Sequence, residues 1–182
     1  YLDALMTMVW ALEANDSEHR SHNQRIAETV HSIGQVMGLG ASDLAVLQQA
    51  SLLHDIGEVA IPDAILRKPA LLTEQERRVV ETHPTVGARL IGTTSTLRDV
   101  VPVVRHHHER WNGTGYPDGL QGTEIPLLAR VLAVAESFVG MTTATAYREA
   151  HAPLEALVAM RESQHFDPEV LDALAAILPS LS

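Results

Sequence analysis

Residues 106–141 read HHHERWNGTGYPDGLQGTEIPLLARVLAVAESFVGM. Three adjacent imidazoles open onto a stretch with glycine at 113, 115, 119 and 122 and proline at 117 and 126. Residues 112–124 therefore predict a loop. The apolar run after it has no β-alternation and predicts a helix. Pro126 is well placed at the first turn of that helix, where its missing N–H would be unpaired in any case. Glu136 stands among Val134, Ala135 and Phe138, so it needs a partner or must face outward.

The helical pattern extends outward on both sides. Ile26, Val30, Ile33, Val36 and Met37 recur at helical spacing, with Gly38 and Gly40 as the stop. Residues 41–57, ASDLAVLQQASLLHDIG, predict a helix capped by Ser42 or Asp43 and stopped at Gly57. A short turn and helix follow Pro62. Thr73 and Glu76 form a capping-box pattern for a helix through Val79, Val80 and His83, which Pro84 breaks or kinks. Residues 95–110, STLRDVVPVVRHHHER, predict a helix with Pro102 near its first turns. Residues 152–163 predict another, and Asp167 with Pro168 caps a last one through Ile177. Leu2, Leu5, Met6, Val9 and Leu12 also keep helical spacing. The chain opens on Tyr1 inside that pattern. Residues 1–14 are therefore expected to be a helix arriving from an upstream module, and residues 15–182 one compact all-α domain of about seven or more helices.

Composition excludes several classes of function. The 182 residues are 46% hydrophobic but only 4% aromatic, which favours helices over sandwiches. A net charge of −10, with Lys68 the sole lysine, argues against binding a nucleic-acid polymer or an anionic membrane. The absence of cysteine excludes disulfides and thiolate-bound zinc. No apolar run approaches the ~18–20 residues that span a bilayer. Membrane insertion of this segment is not expected, and a cytoplasmic location is.

The polar residues that fit a plain bundle poorly are histidines and acids. His54 and Asp55 sit side by side at the buried end of an apolar helix, where unpaired burial costs several kcal/mol. A divalent metal satisfies both; so would a helix-terminal histidine beside a turn aspartate. Glu18 and His22 are four residues apart and share a helix face, although Glu18 also suits a capping box with Asn15. His83 precedes Pro84 and, taken singly, reads as structural. Successive helix positions diverge by about 100°, so at most two of His106, His107 and His108 face one site. Together, donors of this kind without cysteine indicate iron, manganese, zinc or magnesium, with two or more ions if most converge.

The string HDIG at 54–57, followed by HHER, NGTGYPDGL, IPL and ARVLAVAE, resembles the HD-GYP domain of the HD phosphohydrolase superfamily. The likeness covers roughly residues 15–175. It implies an all-helical fold around a centre of two or three divalent metal ions, iron or manganese first, with zinc, nickel, magnesium and calcium as further candidates. The implied activity is hydrolysis of cyclic di-GMP to pGpG or GMP in bacterial second-messenger signalling, with His54 and Asp55 as catalytic residues. By the same resemblance His22, His54, Asp55 and Glu136 surround one metal, with Asp55 bridging, and His83, His107 and His108 hold the second. Glu18 matches an acidic position associated with a third metal in some members. His106 is the extra imidazole and is expected not to touch a metal. Tyr116, Gly115 and Pro117 border the substrate groove, and Arg148 remains to meet substrate. A sensory or receiver domain upstream and a GGDEF-type protein partner are implied as well.

The departures lie on the phosphate side. Glu58 stands where the family has the lysine of HDIGK. Asn112 replaces an aspartate, Glu136 is one methylene longer than the usual aspartate, and Thr145 replaces an arginine. Weak turnover limited by substrate binding is therefore expected. The alternative is a degenerate member that binds metal, and nucleotide with it, but acts through protein contacts.

Overall fold

The computed structural model describes residues 17–144 and 149–180. The expected helix at 1–14, Thr145 and Arg148 lie outside these, as does the side chain of Glu18. Among the described residues the chain is helical, with no strand. The helices are α1 (Ser17–Val36), α2 (Ala41–Leu53), α3 (Asp63–Leu66), α4 (Glu74–Val80), α5 (His83–Ile91), α6 (Val101–His106), α7 (Leu127–Met141), α8 (Pro153–Ser163) and α9 (Pro168–Ile177).

Helix α7 is the axis of the fold. It packs against α1, α2, α6, α8 and α9, which is why its sequence is apolar on nearly every face. Val131, Leu132, Ala135 and Phe138 of α7 meet Ile26, Val30 and Ile33 of α1 and Val170 and Leu174 of α9 in one continuous core. Each fully buried aliphatic side chain there contributes about 1.5–3 kcal/mol. One of the few polar residues of α7, Arg130, is well partnered. Arg130 donates to Asp167 at 2.5 Å and to the Ile125 carbonyl at 2.9 Å, and its guanidinium lies 5.7 Å from the Trp111 ring centre.

Several boundaries differ from the sequence reading. Gly40, not Ser42 or Asp43, occupies the cap of α2, and the helix ends at Leu53. Gly57 is not a stop but part of a 3-10 turn, Ile56–Ala60. A Cβ on Gly57 would lie 2.0 Å from the His83 carbonyl oxygen and 2.7 Å from the Gly87 nitrogen, so only glycine lets this turn seat against α5. The Thr73–Glu76 capping box forms as expected. The helix after it stops at Val80, and Pro84 opens α5 instead of kinking α4, since proline's missing donor is harmless in a first turn. Helix α6 ends at His106, short of the expected Arg110. Asp167 caps α9, accepting from Glu169 N at 2.9 Å.

Candidate metal centre

Three buried histidines are mounted in the same way. His54 Nδ1 bonds the Ser51 carbonyl at 3.0 Å, His83 Nδ1 that of Val80 at 2.8 Å, and His107 Nδ1 that of Val104 at 2.7 Å. A carbonyl only accepts, so each Nδ1 carries a proton; the Nε2 atoms of His83 and His107 then present lone pairs, while His54 Nε2, 3.0 Å from Asp55 Oδ2, donates to that carboxylate. These lone pairs converge. His83 Nε2 and His107 Nε2 face each other at 3.4 Å with no donor between them. Two acceptors at that distance repel unless a proton or a cation lies between them. Asp55, His83, His107 and His108 each place one ligand atom within 4.8 Å of all the others. The donor set and the opposed lone pairs fit a divalent ion held by imidazole and carboxylate.

Asp55 divides its carboxylate between two groups. Its Oδ2 lies 3.0 Å from His54 Nε2, while its Oδ1 lies 3.4 Å from His83 Nε2 and 3.9 Å from His107 Nε2. The seating of Gly57 on α5 brings the 54–55 dipeptide beside His83 in this way. Burial pushes the Asp55 carboxyl up, but His54, then His107 and His83, pull it well below the usual carboxylate range. Burial pulls His54 down, yet the charge and hydrogen bond of Asp55, with Glu136, leave it at about 9. Burial holds His83 and His107 below their ordinary value and takes His108 down to about 3. These three rings are neutral near pH 7, as ligation requires.

The remaining carboxylates gather on the other side. Glu136 is pushed up to about 7 by burial, against the pull of His54 and helped by Asp55. Glu58 is pushed up to about 7 by burial, then Asp55, with His54 opposing and Glu136 adding. The 3-10 turn explains its direction. Glu58 N bonds the Asp55 carbonyl at 2.9 Å, and side chains three residues apart in such a turn lie on one face. Glu58 therefore stands with the acids instead of turning away. His22 and Glu136 line one cleft of about 470 Å³, together with His165 and Phe166.

The three adjacent histidines separate because α6 ends beneath them. His107 is the cap residue of α6, and His107 and His108 turn to one side, with ring centres 4.1 Å apart. His106 turns to the other, its Nδ1 3.8 Å from Glu109 Oε1 and 3.5 Å from Asp118 Oδ2. The Tyr116 ring lies 4.9 Å from that of His108, tilted by 30°, and burial pushes its hydroxyl up. The Tyr116–Pro117 bond is cis. A Cβ on Gly115 would meet Arg110 N at 2.3 Å and Glu109 Cα at 2.5 Å, so the loop lies directly on the chain that carries the histidines. Asn112 accepts from Thr114 N at 3.2 Å and from its hydroxyl at 2.7 Å, a turn that an aspartate would make equally well.

Sequence reasoning missed Glu109, Arg105 and Asp118, which hold this loop. The Glu109 carboxylate has no solvent exposure.

The HD domain family matches residues 8–170. A cyclic di-GMP phosphodiesterase response regulator, RpfG of Xanthomonas campestris, is 37% identical over 94% of this chain and 47% of its own length. A 3′3′-cGAMP-specific phosphodiesterase of Vibrio cholerae is 33% identical over 90% of this chain and 32% of its own length. The crystal structure of a cyclic GMP-AMP specific phosphodiesterase of V. cholerae (V-cGAP3) superposes with a TM-score of 0.59 at 28% identity, over 98% of this chain and 41% of that one. This chain thus spans less than half the length of these relatives. No described helix is long and apolar enough to cross a membrane. The fold, the buried histidine and aspartate cluster and the family match agree: the chain belongs to the HD domain family.

Proposed function

We propose that this chain is a metal-dependent phosphodiesterase that opens a guanine-containing cyclic dinucleotide, cyclic di-GMP in the first instance. The observation that carries the reading is the split carboxylate of Asp55, one oxygen toward His54 and the other toward the opposed lone pairs of His83 and His107. His54, Asp55 and Glu136 would hold one divalent ion, joined by His22 from its position on the same cleft, and Asp55, His83, His107 and His108 the other. Glu18 is proposed as a further acidic ligand. Iron or manganese suits this imidazole and carboxylate set. Divalent ions bound there would polarise the phosphoryl oxygens and acidify water.

The protein's own groups do the rest. Asp55 keeps its charge at any working pH and sets the spacing of the two halves. His54 would have to give up its Nε2 proton to free a lone pair for a cation, so loading would release that proton. Tyr116 offers a flat, tethered ring beside His108 for a base to rest on. Gly115 lets the loop backbone come close, and Pro117 follows on the groove edge. Arg148 is proposed to meet a phosphate. Relatives bearing the names of cyclic di-GMP and of cGAMP phosphodiesterases make both dinucleotides the substrates to test. The experiment is chromatography of products from each dinucleotide, using protein loaded with manganese or iron and protein stripped by chelator. The reading predicts, from the loaded protein only, linear pGpG or GMP out of cyclic di-GMP, and the linear mixed guanine–adenine dinucleotide or AMP plus GMP out of cGAMP. Metal bound without turnover of either would leave a binding module instead.

A further inference from the structure

The end of α6 works in two directions. His107 and His108 reach toward Asp55, whereas Arg105 and Glu109 reach toward the loop at 113–120. The Glu109 carboxylate accepts three backbone N–H groups, from Asp118 at 2.7 Å, Gly119 at 3.1 Å and Leu120 at 3.1 Å. Arg105 grips both oxygens of Asp118, through Nε at 2.9 Å and Nη2 at 2.8 Å. At the near end of the loop, Tyr116 N bonds the His108 carbonyl at 3.2 Å. The loop is thus pinned at both ends to the five residues that include two candidate ligands.

His106, Glu109 and Asp118 also gather within 4.8 Å of one another, and His106 Nδ1 is buried without a hydrogen-bond partner. Arg105 already supplies the charge that Asp118 requires, and three amides already satisfy Glu109. The cluster is therefore a clamp and not a second cation site.

We propose that Glu109 is a positioning residue: its buried carboxylate, aided by the Arg105–Asp118 pair, fixes the 116–120 backbone so that Tyr116 stays packed on His108 as a wall for the substrate base. This rests on the reading of Tyr116 as a substrate contact. Three charge-assisted bonds to consecutive amides make a rigid mount. Glutamine at 109 has the same shape but one acceptor oxygen, and its NH₂ would face N–H donors. The loop would then lose at least one amide bond and Tyr116 its fixed position, while His107 and His108 keep their carbonyl mounts and their metals.

The test uses Glu109→Gln in the full protein, with Arg105→Ala as a second variant on the partly exposed side of the clamp. Amide hydrogen exchange at residues 116–120, with and without manganese, should speed up about tenfold in Glu109→Gln, the size of one such hydrogen bond. Metal content should stay unchanged. KM for cyclic di-GMP should rise about tenfold with kcat within about twofold, and Arg105→Ala should shift both readouts the same way by less. Unchanged exchange at 116–120 would overturn the clamp, and faster exchange with unchanged KM would overturn its role toward substrate. Loss of metal with unchanged exchange would show that Glu109 acts on the histidines instead. If the parent protein opens neither dinucleotide, the phosphodiesterase reading fails, and exchange alone decides the clamp.

Discussion

The two halves of the candidate centre are built from different materials. Around His83, His107 and His108 the ligand atoms are already gathered, each of the two buried rings is fixed by a backbone carbonyl, and burial keeps all three rings neutral. Around His54 the neighbours are carboxylates, Asp55, Glu58 and Glu136, and the two glutamates sit near 7 because burial first, and the Asp55 charge with it, resist their ionisation. The histidine half is preorganised and waits for a cation at little cost. The carboxylate half is held apart by its own charge and gains most from a cation. Asp55 belongs to both, and Gly57 holds it in place.

The largest effect is expected where the halves join. Gly57→Ala forces a Cβ into the His83 carbonyl, so α5 and the 54–55 turn must part. Overpacking against backbone should cost about 3 kcal/mol or more, read as a fall in the urea midpoint, and metal content should fall with it. Retained stability would mean that the turn can shift without harm. His107→Ala should empty the histidine half alone, leaving about one ion per chain by elemental analysis and lowering turnover by at least about a hundredfold. Turnover near the parent level would remove His107 from the centre.

Glu136→Gln sharpens the contrast from the other side. It should weaken the carboxylate half, with a rise of about ten- to a hundredfold in the manganese concentration needed for activity, while one tight ion remains. Equal weakening of both ions would show that the halves are not separate. Glu58→Lys should have the smallest effect. It exchanges repulsion for attraction at a phosphate, so KM for cyclic di-GMP should fall about tenfold with metal content unchanged. A lost ion in that variant would place Glu58 among the ligands.

Most of the fold was legible because helix periodicity and capping are local. The Thr73–Glu76 box and the Asp167–Pro168 start formed where the residues indicated. The errors came from tertiary contacts. Gly57 reads as a stop until its approach to His83 is known, whereas the break expected at Pro84 is present, with the proline opening the next helix. In the candidate site, His54, Asp55, His83, His107 and His108 were visible as donors in apolar surroundings, and the structure brings them together. Glu109 was not visible, because its partners are backbone amides nine to eleven residues away, and amides leave no trace in residue type. The direction of Glu58 depends on a 3-10 turn that periodicity does not reveal.

The shared carboxylate is the claim on which the rest depends, and metal stoichiometry tests it most directly. Elemental analysis of anaerobically purified parent protein and of Asp55→Asn, both supplied with iron and manganese, should give about two or more ions per chain for the parent, as a binuclear hydrolase needs. The variant should hold markedly fewer, with both halves affected. A parent protein without bound ions, or an Asp55→Asn variant that keeps its full complement, would contradict a centre joined through Asp55.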